Sequence, residues 1–121
     1  MRTDAHAIGE ARSLAYHREI ARMLDSDPTM IARALERTRR YATAGLAPHA
    51  MQQWDALLRG PVAAIAVVLI ADDERGRWLR SCSPFAGEIA PAVRRQIWHD
   101  ARAQLLRDAA DARSVGAADA T

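Results

Sequence analysis

Along this chain apolar residues recur at intervals of three and four, in stretches broken by proline, glycine or clustered aspartate. That is the periodicity of helices with one buried face. The clearest stretch is 27–45, where Asp27 stands as N-cap, Pro28 takes the first helical position and Gly45 follows the end. Between them Ile31, Ala34, Leu35, Thr38 and Ala42 share one face, and Arg33, Arg37 and Arg40 form a basic stripe opposite. Residues 10–24 place Leu14, His17, Ala21 and Leu24 on one stripe. Residues 48–59 gather Ala50, Met51, Trp54, Leu57 and Leu58.

The run PVAAIAVVLIA at 61–71 is short enough to be a buried strand or a buried helix. Its alanines, the proline before it and the absence of a second strand favour the helix. Asp72 or Asp73 can cap a short helix holding Trp78 and Leu79, and a last helix over 91–109 turns Val93, Ile97, Trp98, Ala101 and Leu105 inward. From 110 the apolar period stops, which predicts a flexible tail over 110–121. The expectation is an all-α fold: one helical domain over 1–109, a compact bundle of about six short helices without a sheet.

Composition narrows the function classes. The 17 basic residues are all arginine, in keeping with a GC-rich coding bias or with a surface that favours bidentate pairing with carboxylates or phosphates. Net charge is only +2, so the high isoelectric point alone gives no large field for nucleic acid. A single cysteine rules out an internal disulfide and fits a reducing compartment. The first ten residues lack the apolar core of a secretory signal, and the longest apolar run is half of what a membrane helix needs. A soluble, cytoplasmic protein is expected.

The candidate chemistry is sparse. Cys82, flanked by Ser81 and Ser83, lacks a surrounding nucleophile signature and reads as a small apolar residue. His6, His17, His49 and His99 are too scattered for a metal site, and no cofactor motif is present. His17 falls mid-stripe and reads as a core or interface histidine. Arginine followed five residues later by histidine occurs at Arg12/His17 and Arg94/His99, a pattern carried by the HEPN ribonucleases. Roughly 1.7 matches are expected by chance at this composition over the three spacings the motif allows, and residues five apart on a helix diverge by about 140°. Arg95, not Arg94, shares a face with His99. The Arg33/Arg37/Arg40 stripe offers a phosphate or acidic-partner surface, or merely a solvated helix back. It lacks the Asn, Gln or Ser that read base edges, so nucleic-acid binding is possible but unsupported.

Taken in order, LAYHREIARMLDSDP, IARALERTRRY, MQQWDALLRGPV and RWLRSCSPFAGEIAP, then an arginine-rich helix with Ile97-Trp98, are more specific than any single motif. Over 14–99 they resemble small helical bacterial antitoxins. These are the part that follows the helix-turn-helix in some XRE-type regulators, or a stand-alone partner of a nucleotidyltransferase-like toxin. The run Leu79–Gly87 carries the likeness, with LRxSSPFAG as the expected form. Cys82 departs from it, and no helix-turn-helix precedes residue 14, so operator binding is not expected. The resemblance implies a non-enzymatic protein that masks a cognate toxin. Arg80, Ser83, Pro84, Phe85, Ala86, Gly87, Arg94 and Arg95 would form the partner surface, with Phe85 as aromatic anchor and the arginines on toxin carboxylates. The alternative for Phe85 is a plug for the domain's own core. Arg94 falls in the apolar arc of its helix and must snorkel, pair or meet a partner.

Overall fold

Among the described residues six helices form in the expected order: α1 (Ala5–Ser26), α2 (Thr29–Thr43), α3 (Pro48–Leu58), α4 (Val62–Ile70), α5 (Glu74–Ser81) and α6 (Pro91–Asp119). They belong to a computed structural model that describes residues 5–119. No strand occurs among the described residues, and the fold is an all-α bundle.

The connectors behave as their residues dictate. α2 ends in a Schellman turn, with Gly45 at φ 74° and the Leu46 N–H reaching the Tyr41 carbonyl at 2.9 Å. Asp73 caps α5 by accepting from the Gly76 N–H at 2.7 Å. Asp27 does not cap α2 with its side chain; the carboxylate accepts from the Thr29 hydroxyl and pairs with Arg33 instead. The ambiguous apolar run is helix α4, and it buries Ile65, Val68 and Leu69.

α1 lies between α4 and α6 and also touches α5, while α2 packs on α3. This double flank explains why α1 buries Tyr16, His17, Ile20 and Leu24 rather than the narrower stripe through Leu14 and Ala21. Trp54 of α3 sits at the centre of the core, fully buried, with its indole N–H donating to the Leu79 carbonyl at 2.9 Å. On α6, Ile97 packs against the core as expected, but Val93 is exposed.

The last helix is longer than its apolar pattern. Residues 110–119, read as the beginning of a flexible tail, continue α6, as a segment with four alanines in ten residues and no proline can. Burial does stop where the pattern stops: Ala109 is buried and 110–115 are exposed. The rest of the expected tail, residues 120 and 121, lies outside the described residues.

Candidate functional site

The connector from α5 to α6 folds inward. Ser83 Oγ accepts from the Phe85 N–H at 3.1 Å, the local turn a serine two residues earlier can make. Gly87, at φ 82°, takes the left-handed conformation the reversal needs. Phe85 is thereby driven to 0% exposure, edge-on to Trp54 with ring centroids 5.8 Å apart. Its carbonyl accepts from the Tyr16 hydroxyl at 2.7 Å. Pro84 is also buried. The expectation that Phe85 and Pro84 anchor a partner is therefore corrected: they plug the domain's own core. Cys82 packs half-buried against the same cluster, as an apolar filler.

Glu88 secures the connector from outside. Arg33 donates to its carboxylate at 2.8 Å and Arg37 at 2.6 Å, and the Glu88 side chain is only 4% exposed. Arg37 also donates to the Pro84 carbonyl at 3.3 Å. Hydrogen bonds from Arg33, then from Arg37, hold the Glu88 carboxyl below its ordinary range despite burial. Two members of the basic stripe are thus spent on an internal clamp rather than lying free for nucleic acid, and of the three only Arg40 is exposed without a bond to a described residue. The clamp is invisible in the sequence because Arg33, Arg37 and Glu88 are separated by about fifty residues with no local periodicity to link them.

Arg80 is likewise spent internally. It is buried, and one guanidinium nitrogen donates to the carbonyls of Val68, Leu69 and Ala71, the last at 2.7 Å. It thereby satisfies the orphan carbonyls at the end of α4, where a cation is favoured. Burial draws its pKa down from the usual arginine value.

What remains is a cleft of about 430 Å³ between α1, α5, α6 and the connector. Arg12, His17, Arg80, Ala86, Arg94 and Trp98 are among its walls, and no carboxylate of the described residues lines it. Arg94 lies over the Trp98 ring at 4.9 Å and Arg12 at 5.9 Å, so the indole holds both cations by its π-faces. Neither guanidinium bonds to any described residue, and the Nε of each is buried without a partner.

The third orphan is His17 Nε2, also buried without a partner. The ring's other nitrogen, Nδ1, lies 2.7 Å from the Ser13 carbonyl, so it is the nitrogen that carries the proton. Burial above all, aided by the Arg80 charge, lowers the His17 pKa to about 4. At neutral pH the ring is uncharged, and Nε2 is a lone-pair acceptor. A buried, unpaired polar atom costs roughly 1–3 kcal/mol, and all three in the described chain gather at this one cleft.

The remaining predicted residues do not converge. Arg95 and His99 are exposed and line none of the clefts described, while Arg94 turns toward α1. The Arg94/His99 pair of the ribonuclease reading therefore points two ways, and Arg95/His99 lies on open surface. Of the expected partner surface, Ser83, Ala86, Gly87 and Arg94 share the cleft with Arg80. Arg12 and Trp98 were missed as site residues; the signal available was their position on the helix faces that meet, visible only once α1 and α6 are known to pack together. Among the described residues no group of His, Cys, Asp and Glu is arranged to hold a metal, and no helix is long and apolar enough to cross a membrane.

No family model matches the sequence, no curated protein matches it, and no solved structure matches the fold.

Proposed function

We propose that this chain is a non-enzymatic, antitoxin-like binding protein of the cytoplasm that captures a partner toxin, one of nucleotidyltransferase-like type, by an anionic group of that partner. The observation that carries the reading is the pair Arg12 and Arg94, two cations over one indole in a cleft that no carboxylate of the described residues lines. Protein ion pairs are normally completed inside the fold, as Arg33, Arg37, Arg59 and Arg77 are here. Cations left uncompensated and half-buried are instead suited to an incoming anion, for which arginine supplies a planar fork of donors.

A binding rather than catalytic role is supported by the histidine. No hydroxyl in the cleft lies within hydrogen-bond distance of His17 Nε2, so no nucleophile is activated by it. The lowered pKa also makes the ring a weak base. The resemblance of 14–99 to the antitoxin proteins gives the partner class, and Arg80, Ser83, Ala86, Gly87 and Arg94 are common to the partner surface it implies and to the cleft, Arg94 being the one whose guanidinium bonds to no described residue.

The test is genetic and biochemical together. The protein that co-purifies with this chain from its source cells is expressed alone and with the chain. Growth arrest by the partner alone, relieved by the wild-type chain and not by Arg12→Gln/Arg94→Gln, is the expected outcome. A partner without effect on growth, or full relief by the double variant, rejects the reading.

A further inference from the structure

If the cleft is an anion site, as the proposed function has it, its walls also restrict which anion fits. Arg12 and Arg94 supply donors only, and so require an anionic acceptor. His17 supplies the opposite. Its Nδ1 proton is committed to the Ser13 carbonyl at 2.7 Å, which leaves Nε2 with a lone pair and nothing to accept from. A fully ionised phosphate has no donor for that lone pair and would set an oxygen against it. A simple side-chain carboxylate has the same defect.

We infer that the cleft recognises a carboxylate with a hydrogen-bond donor on its α-position, the anion on Arg12 and Arg94 and the adjacent N–H or O–H on His17 Nε2. This chemistry belongs to the C-terminal carboxylate of a polypeptide with its amide N–H, or to a free acylamino or hydroxy acid. The volume, about 430 Å³, lies within the range of small-ligand sites, roughly 300–1,000 Å³, and suits a chain end rather than a folded surface. Nε2 is buried, so a ligand donor reaches it only if the side chains of the cleft rearrange on binding. The Trp98 indole and the Cα of Gly9, where an added Cβ would meet nothing within 4 Å, leave room for the side chain beside the carboxylate.

The experiment is a titration of the full chain, read by the Nε–H signals of Arg12 and Arg94 in NMR and by calorimetry. The probes are N-acetylalanine, lactate, acetate, N-acetylalanine amide, methyl phosphate at a pH where it is the donor-free dianion, and an amidated peptide with one internal glutamate. N-acetylalanine and lactate are expected to bind at least tenfold more tightly than acetate, and the amide not at all. Arg94→Gln should weaken N-acetylalanine tenfold or more, since a charge-assisted hydrogen bond is worth about 1.5–3 kcal/mol. Gly9→Leu, which fills the cleft from a position with open space, should do the same without touching any polar group. His17→Phe should erase the preference over acetate while leaving acetate itself unchanged, a split that loss of structure would not give.

Acetylated peptides that bind more tightly than N-acetylalanine assign the group to a polypeptide end; equal or weaker binding assigns it to a small acid. The methyl phosphate dianion or the internal glutamate binding as well as N-acetylalanine overturns the inference. So does heat that varies with buffer in the manner of proton uptake, because His17 would then be a donor. If no probe binds and capture of the partner still depends on Arg94, this inference fails while the proposed function stands. If N-acetylalanine binds and no captured partner arrests growth, the reverse holds.

Discussion

The Tyr16 hydroxyl donates to the Phe85 carbonyl at 2.7 Å, joining the middle of α1 to the α5–α6 connector across 69 residues of sequence. Both residues are buried, so the bond fixes the connector as core rather than as a mobile surface loop. The cleft exists because that connector is held in place. Its outer residues, Ala86 and Gly87, form one wall, and Tyr16 is shared between the bond and the lining.

Phe85→Ala should therefore destabilise the domain by about 3–5 kcal/mol, the usual range for removing a fully buried aromatic. Tyr16→Phe should cost less, about 1–3 kcal/mol, because it leaves a buried carbonyl unpaired but keeps the ring. Urea unfolding of the two variants measures both. A Phe85→Ala protein as stable as the wild type would mean that the ring is not the plug described.

The Glu88 clamp makes a second, independent prediction. The folded carboxyl titrates below its ordinary value of 4.5, so its stabilisation is complete above that pH and is lost as pH falls through the folded value. Glu88→Gln should cost roughly 1–3 kcal/mol at pH 7 and reduce the stability lost on acidification below 4.5. Equal acid slopes for the two proteins would remove the clamp from the account.

His17 acts in a higher window. Its folded pKa of about 4 lies under the unfolded 6.5, so between these values the unfolded chain binds a proton that the folded chain refuses. Stability should fall as pH drops from 6.5 to 4, by up to about 3 kcal/mol, with no contribution from this group above 6.5. His17→Asn, which keeps a donor for the Ser13 carbonyl but does not titrate, should flatten that window. Melting temperature against pH for both proteins checks it, and an unflattened curve counts against a buried neutral ring.

Gly76 predicts an inversion of ordinary helix propensity. Alanine normally favours a helix over glycine by about 1 kcal/mol. Here its Cβ would stand 2.5 Å from the Ala71 carbonyl oxygen and 2.9 Å from the Ala71 Cβ, where α5 meets the end of α4. Gly76→Ala should destabilise by roughly 1–3 kcal/mol, as overpacking does, whereas Gly9→Ala, in open space, should be neutral or stabilising. Thermal melts of the pair suffice; a stabilised Gly76→Ala would show that the two helices separate freely.

Helix number, class and most boundaries were legible in the sequence, because proline, glycine and aspartate punctuate a helical period that local physics enforces. Pro48 and Pro91 begin their helices, and Asp73 caps α5. Arg94 was legible as a misfit, a cation in an apolar arc. Its resolution was not, because the indole of Trp98 is on its own helix while Arg12 arrives from α1. Arg33 and Arg37 read as a free stripe because the acid that engages them is remote in sequence. Phe85 could be read either way, since an aromatic on a turn looks the same whether it faces inward or outward; only the Tyr16 and Trp54 contacts decide it.

The central claim is that Arg12 and Arg94 are reserved for an anion on a partner. The most direct measurement is the dissociation constant of the co-purifying partner for the wild-type chain, Arg94→Gln and Arg40→Gln. The account predicts at least a tenfold loss for Arg94→Gln, and wild-type affinity for Arg40→Gln, whose exposed guanidinium bonds to no described residue. Equal affinity of all three proteins would contradict it.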